Sequence, residues 1–479
     1  MHQYTAYPMY VIMNNNERLA IIQQKLSAAL GASVVSNDPD VLEKYAIDET
    51  SDLKGNPWLV VYAKSAEDVS TVLSVCNEYC IPVIPRGAGT GVTGGAVPVC
   101  GGVVLSLETM NSIIEIDVEN MIAVCEPGVI TGILQKEVAQ YGLMYPPDPA
   151  SLDSCSLGGN VAEGAGGPRA VKYGTTKDYI TGLEFVLADG SIIQHGGKFI
   201  KNATGYNLTG ILIGSEGTLA VITKIYCKLI PAPAYTLDML IPFASLEEAI
   251  RMVYTFLINR IKPAVLEFME EDALIVASQY LGQAMPHPEA KAHLLIQLDG
   301  DSSEEIERIL QTILSLGMVH PDTILTAQSP QQKERLWKAR RCIREAIDAK
   351  SPVFLAEDCS VPRSSIAPFL TGVKEALTPY GLQSIIFGHA GDGNVHIDVL
   401  KNDMPYEDFK KLVPALKEII YGQAYRYGGT ITGEHGTGFI RKDALKKFAT
   451  SQELSLYKRL KKAFDPNGIL NPHKIIDMD

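Results

Sequence analysis

Residues 85–95 read PRGAGTGVTGG. Within them Gly89-Thr90-Gly91-Val92-Thr93-Gly94 fits G-x-G-x-x-G, the spacing of a nicotinamide-dinucleotide loop. Such a loop needs a strand before it, a helix opening at its last glycine and an acidic residue about 20 positions on. Only the first condition is met. IPVIP (81–85) predicts a short strand, but GGAVPVCGGVVLSLETM carries Gly95, Pro98, Gly101 and Gly102 and then a second strand, with no room for a helix. Glu108 stands too near to hold a ribose. The glycines alone predict either a flexible turn with no ligand or another kind of phosphate cradle, a strand-flanked loop whose bare backbone N–H groups, helped by the hydroxyls of Thr90 and Thr93, surround an anion.

Working outward, WLVVYA (58–63) predicts a strand and SAEDVSTVLSVCNEYC a helix capped by Ser65, with Asp68 three residues on. Residues 16–30 predict an earlier helix. Residues 1–16 read as dispensable, since translation starting at Met13 would lose nothing of that pattern. Downstream, IIEIDVENMIAVCEPGV predicts two strands about a turn, ITGILQKEVAQYG a helix, and TGLEFVLADGSII a hairpin turning at Asp189-Gly190. Two further glycine segments, SCSLGGNVAEGAGGPRAVKYG (154–174) and GSEGTLAVIT (214–223), are expected, like the first, to interrupt strands. Three such segments predict one extended ligand lying across residues 17–232.

A composition shift at IPAPAYTLDML (230–240) predicts a second module over 233–428. Its order of strand, helix, strand, strand, helix resembles a ferredoxin-like α+β unit. Residues 429–479 form a third part, ending in SLYKRLKKAFDPNGILNPHKII, a helix followed by turns. No internal repeat stands out. The fold class expected is α+β.

Composition excludes several functions. The net charge of −13, with no basic run, argues against nucleic acid. No apolar run reaches the roughly 18–20 residues that crossing a bilayer requires, and the start of the chain lacks a signal-peptide pattern. The eight cysteines are scattered without a C-x-x-C, which predicts reduced structural thiols in a cytoplasmic protein rather than a cluster or zinc ribbon.

Histidines are few, nine in all, and two flank GDGN in SIIFGHAGDGNVHIDVL. Two strands joined by a turn at 391–394 would set His389 opposite His396 with Cβ atoms about 5 Å apart, suited to one metal ion. Such a pair is as readily structural. Glu434 and His435, in the glycine-flanked GEHG, supply the missing carboxylate. Two histidines and a carboxylate make a divalent-cation site of the Zn, Mn or Fe type with positions open for substrate.

The motifs PRGAGTGVTGG, SLGGNVAEGAGG, KYG, GSEGTLAVIT, GHAGDGNVH, GEHGTG and AFDPNGILNPHK occur in this order over roughly residues 17–478. Together they resemble the FAD-linked 2-hydroxy-acid oxidase/dehydrogenase family, which includes glycolate oxidase catalytic subunits, D-lactate dehydrogenases and D-2-hydroxyglutarate dehydrogenases. The resemblance implies a two-part FAD-binding domain of the vanillyl-alcohol-oxidase (PCMH) type, an α+β substrate cap and a C-terminal segment returning to the flavin. It implies a pyrophosphate held by Pro85, Arg86, Gly87, Ala88, Gly89, Thr90 and Gly91 with Thr93 and Gly94. Asp148, Ser151, Gly159, Asn160, Ala162, Glu216, Gly217 and Ile222 would line the FAD channel, with Asn471 near the ring. It implies His389, His396 and Glu434 as metal ligands, His435 as base and Arg340 as the clamp for a substrate carboxylate. No His or Cys stands in PRGAGTGVTGG, so the FAD is expected to be non-covalent.

The chemistry fits the resemblance. A 2-hydroxy acid can chelate one metal through its hydroxyl and carboxylate, which acidifies the hydroxyl. An imidazole, titrating near neutrality, can take that proton while hydride leaves Cα for flavin N5. RLWKARRCIREAI (335–347) predicts one helix with Arg340 and Arg344 on a shared face, where a guanidinium can hold carboxylate in two-pronged fashion. The hydroxyglutarate branch carries a threonine where Arg344 stands, a lysine at Ala356 and an asparagine at Asp398. A small substrate, D-lactate or glycolate, is therefore expected, with D-2-hydroxyglutarate the alternative. Electrons would pass to a quinone, a cytochrome, an iron–sulfur subunit or an electron-transferring flavoprotein; association with a membrane through such a partner and a homodimer both remain open. Readings of other classes are a metallohydrolase on the same ligands, which would bind no flavin, and a non-catalytic flavin subunit, which would show a degraded metal site.

Overall fold

A computed structural model describes residues 15–478, so Met13 and the residues before it lie outside the described residues. The first sheet holds β1 (Val35–Ser36), β2 (Leu59–Tyr62), β3 (Val83–Arg86) and β4 (Val103–Ser106) in the order β1-β2-β4-β3. β2 and β3 both run parallel to β4. β2 and β4 read as unbroken apolar runs because both their faces are covered. The crossover helix Ala66–Glu78 starts where Ser65 Oγ accepts from Asp68 N, and it buries Val69, Val72, Leu73 and Cys76 against the sheet. No helix follows β3; the glycine loop leads directly toward β4.

The second sheet is antiparallel. It contains β5 (Ile113–Asp117), β6 (Ile122–Cys125), β8 (Ile180–Val186), β9 (Ile192–Gly196) and β10 (Val221–Lys228) in the order β5-β6-β10-β8-β9. A small pair, β7 (Leu143–Met144) and β11 (Ile230–Pro231), lies apart. The expected hairpin is β8–β9, turning at Asp189-Gly190 with Gly190 at φ +88. The second glycine segment corrects an expectation. It does not interrupt a strand but forms the helix Leu157–Glu163, capped by Ser156 and ended by Gly164 in the left-handed conformation. Gly158 sits there because a Cβ would come within 2.6 Å of Pro127 Cβ, so close packing outweighs glycine's poor helix propensity.

The third sheet has seven antiparallel strands: β12 (Tyr235–Phe243), β13 (Val265–Glu270), β14 (Ala292–Gly300), β15 (Leu325–Ala327), β16 (Phe354–Ser360), β17 (Ser384–His389) and β18 (Asn394–Leu400). Their order is β15-β12-β14-β13-β17-β18-β16. The first four strands, with helices Leu246–Ile258 and Ser303–Ser315, make the ferredoxin-like unit in its 4-1-3-2 order. β16, β17 and β18 repeat its first three strands, with helices Ile366–Leu377 and Tyr406–Arg426, and join it through β13 and β17. This repetition of topology left no trace in the sequence. The helix Glu271–Leu281 between β13 and β14 also went unanticipated.

The two faces of this sheet differ. Residues such as Leu266, Phe268, Ile386, Val395 and Ile397 pack under the four helices just named. The other face carries Met269, Ile385, Phe387 and Leu400 against helices Glu271–Leu281, Pro330–Arg341 and Ile343–Lys350. The single helix expected over 335–347 is thus two, broken at Cys342, whose ψ of 0 ends the first and lets Ile343, Ala346 and Ile347 turn into the core.

The C-terminal segment ties sheet to loop. Thr430 and Thr432 bridge to Ser360 and Asp358 on the edge of β16, Phe439 N donates to Thr93 O, and Leu470 bridges to Val83 of β3. Among the described residues no helix is long and apolar enough to cross a membrane.

Candidate active site

The three glycine segments meet one another. A Cβ on Gly87 would collide with Ser156 Oγ, Glu216 N donates to Ala162 O at 2.8 Å, and a Cβ on Gly217 would lie 3.2 Å from Pro85. Gly91, by contrast, faces open space. Asn471 closes the ring: its Nδ2 donates to Gly95 O and Glu216 O, at 2.9 and 2.8 Å. Glu216 takes N–H bonds from Thr437 and Gly438, both 2.7 Å. Three buried polar atoms here, Thr93 Oγ1, Asn471 Oδ1 and Glu163 Oε2, have no partner within the protein. Such orphans are rare unless a ligand or water completes them. The residues therefore fit a flavin dinucleotide.

Some expected cofactor residues serve the cradle from behind. Arg86 turns beneath the loop, donates to Ile47 O at 2.7 Å and stacks on Tyr45, so only its backbone faces outward. Asn160 Nδ2 donates to Thr131 Oγ1, and Ile222 lies in the hydrophobic core. Asp148 pairs with Arg169 at 3.4 Å, and burial pushes its carboxyl up to about 7. Gly159 N is used by the Ser156 cap, while Ser151 O accepts from Ser154 and Cys155.

A polar island interrupts the apolar face of the seven-stranded sheet. Four adjacent strands each give one member: Glu267, His389, His396 and Asp358. The hairpin register differs from expectation. His389 pairs with Asn394, and His396 pairs with Phe387, because the turn is 390–393 rather than 391–394. The amides of Asp392 and Gly393 both bond His389 O, which tightens the turn. The pairing is shifted by two residues, so both histidines keep the same face. Their rings are 5.3 Å apart as diagonal neighbours.

Glu434 arrives from the C-terminal segment. Its Oε1 lies 3.2 Å from His389 Nε2 and 3.5 Å from His396 Nε2. It also abuts the second glycine segment, where a Cβ on Gly166 would come within 2.6 Å of Oε2. His435 stacks on His396 with centroids 5.4 Å apart. Burial drives His396 down to about 3, against the pull of Asp358 and Glu434. Glu434 falls to about 2: burial opposes its charge, but His389 outweighs it.

Two residues escaped the sequence reading. Asp358 accepts at Oδ2 from the amides of Gly433, Glu434 and His435, each 3.0 Å, and from Thr432 Oγ1, while Asn394 Nδ2 bonds Oδ1. Burial opposes its charge, but His435, His396 and Arg441 outweigh burial and hold the carboxyl well below the usual range. Glu267, fully buried, reaches His389 Nδ1 at 2.5 Å and Arg340 Nε at 2.9 Å. Arg340 also stacks on Phe387. Asp358, His396, Glu434 and His435 present donor atoms within 4.8 Å of one another. Asp358 already accepts five hydrogen bonds; the expected ligand His389 lies outside this group of four and meets it through Glu434, whose Oε1 is 3.2 Å from His389 Nε2. The imidazoles of His389 and His396 with the Glu434 carboxylate are donor types that suit a divalent cation.

The family model for "FAD linked oxidases, C-terminal domain" matches residues 232–475, and that for an FAD binding domain matches 57–196. A D-lactate dehydrogenase of Anaerostipes hadrus is 40% identical over 88% of this chain and 90% of its own length. The glycolate oxidase subunit GlcD of Bacillus subtilis (strain 168) is 38% identical, covering 91% and 92%. A D-2-hydroxyglutarate dehydrogenase of Stutzerimonas stutzeri is 31% identical, covering 92% and 96%. Substrate-bound p-cresol methylhydroxylase shares the fold at a TM-score of 0.80 and 20% identity, with 98% of each chain covered. The vanillyl-alcohol-oxidase type of architecture is thereby established, and the chain belongs to the FAD-linked oxidases, an FAD-dependent oxidoreductase kindred to D-lactate dehydrogenases and glycolate oxidase subunits.

Proposed function

We propose that the protein oxidises a small D-2-hydroxy acid, D-lactate or glycolate, to the 2-oxo acid. The observation that carries this reading is the convergence of His389, His396, Glu434 and His435 at the seam between the glycine segments and the cap sheet. When bound, non-covalent FAD supplies the two-electron acceptor for hydride from Cα. A divalent ion, Zn, Mn or Fe, held by His389, His396 and Glu434 supplies Lewis acidity toward the substrate hydroxyl.

The chain's own residues do the rest. His435 Nδ1 faces Asp358 Oδ2 at 3.7 Å, which leaves Nε2 to take the hydroxyl proton. Arg340 offers the amino group not engaged by Glu267 to the substrate carboxylate. Beyond His396 on the same strand face, Asp398 lies 3.4 Å from Arg344, which also stacks on Phe354. Asp398, with Ala356 opposite it in the register, puts an acid and a methyl group where a second substrate carboxylate would need a cation. This supports the small substrate over D-2-hydroxyglutarate. With no C-x-x-C in the chain, electrons leave for a separate acceptor: a quinone, a cytochrome, an iron–sulfur subunit or an electron-transferring flavoprotein. The test is steady-state turnover with an artificial dye acceptor on D-lactate, L-lactate, glycolate and D-2-hydroxyglutarate. The reading expects D-lactate or glycolate to lead; preference for hydroxyglutarate by tenfold or more would transfer the assignment to the alternative.

A further inference from the structure

Glu267 sits in the middle of the apolar strand β13, fully buried, where an acidic side chain is stable only if its charge is met. It stands directly opposite His389 in the sheet register. Its two oxygens point to different partners. Oε1 is 2.5 Å from His389 Nδ1, and Oε2 lies 2.9 and 2.7 Å from Nε and Nη2 of Arg340. Those partners belong to separate elements, β17 and the helix Pro330–Arg341, and they have separate duties in the proposed reaction.

We propose that Glu267 is a positioning residue that couples the metal ligand His389 to the carboxylate clamp Arg340, fixing both through one buried carboxylate. This inference rests on the 2-hydroxy-acid reading above. Accepting at Oε1 keeps the His389 proton on Nδ1 and leaves the Nε2 lone pair directed at the ion. Accepting at Oε2 aligns the guanidinium plane and leaves its other amino group for substrate. Only a carboxylate can do both. A glutamine at this position has one acceptor. If its amide group faces Arg340, two donors collide; if it faces His389, the imidazole must move its proton to Nε2 and lose the metal lone pair.

The experiment uses the FAD-loaded protein and three variants, Glu267→Gln, Glu267→Asp and Arg340→Met. Mn(II) alone is titrated and followed by electron paramagnetic resonance, and KM and kcat are measured for the preferred hydroxy acid. Arg340→Met should raise KM and leave the Mn(II) Kd unchanged. Glu267→Gln should move both, weakening Mn(II) by about 10- to 100-fold and raising KM by at least about tenfold, one decade being about 1.4 kcal/mol. Glu267→Asp, charged but one methylene shorter, should recover part of one effect and not both; it carries the test if the glutamine variant does not accumulate. A role confined to folding would lower the melting temperature of these variants without moving either constant. Folded Glu267→Gln with Mn(II) Kd and KM within twofold of the parent would overturn the inference while leaving the hydroxy-acid reading intact. A parent protein that neither binds Mn(II) nor turns over any 2-hydroxy acid would overturn both.

Discussion

Asp358→Asn is the sharpest perturbation of the site that changes no ligand. The substitution is isosteric, so it opens no cavity. In the parent, one charged oxygen takes the amides of Gly433, Glu434 and His435, all at 3.0 Å. With the asparagine oxygen turned toward them, the amides keep an acceptor but a neutral one, about 1 kcal/mol weaker per bond. Its new amide group then faces Asn394 Nδ2, a donor that previously bonded Oδ1, at a cost of about 1 kcal/mol more. With the Thr432 Oγ1 bond to the same oxygen weakened alike, the sum is about 5 kcal/mol, and it falls on the turn 432–435 rather than on the sheet. Local opening should therefore become several thousandfold more frequent. Hydrogen exchange read by mass spectrometry on a peptide spanning that turn should show it, with peptides from β14 unchanged. Because Glu434 rides on the turn, Mn(II) affinity should fall as well. Protection within threefold of the parent, together with unaltered Mn(II) binding, would refute the claim that Asp358 anchors the ligand loop.

Three further outcomes are expected. His396→Ala should retain FAD, seen as an unchanged visible absorbance ratio, but lose metal by elemental analysis and lose turnover; normal turnover would remove the metal from the mechanism. Gly91→Ala should fold, since its Cβ meets nothing, yet lose flavin occupancy, whereas Gly158→Ala should destabilise the fold through the Pro127 contact; thermal melts and absorbance separate the two. Burial raises the Glu216 carboxyl from 4.5 to about 7, so the fold prefers it protonated. That preference stabilises fully below pH 4.5 and is lost as the pH rises through about 7. Glu216→Gln should flatten that part of the melting temperature against pH profile, and an unchanged slope would contradict the assignment.

The cradle was legible because its signals are local. Glycine density, Pro98 and an apolar strand on either side of the loop decide the matter within residues 81–106, and no distant contact reverses it. His389, His396, Glu434 and His435 were legible as a set because they are rare residue types beside turns. Their register was not, since GDGN allows a turn to begin at either of two residues and only the amides bonding His389 O choose. Glu267 and Asp358 were missed although each left a trace, an acid inside an apolar strand. In FLAEDCS the adjacent Glu357 and Asp358 point to opposite faces, Glu357 to Arg441 beneath the helices and Asp358 to the site. Nothing local says which acid faces which partner, because both partners lie more than seventy residues away. The helix break at Cys342 was hidden for the same reason: no glycine or proline marks it, and core packing sets it.

The central claim is hydride transfer from a 2-hydroxy acid to bound flavin. It is tested most directly by mixing the purified yellow protein anaerobically with D-lactate, glycolate or D-2-hydroxyglutarate and following the flavin band. The account predicts rapid bleaching with D-lactate or glycolate, abolished in His435→Ala. A flavin that stays oxidised with all three acids would contradict it.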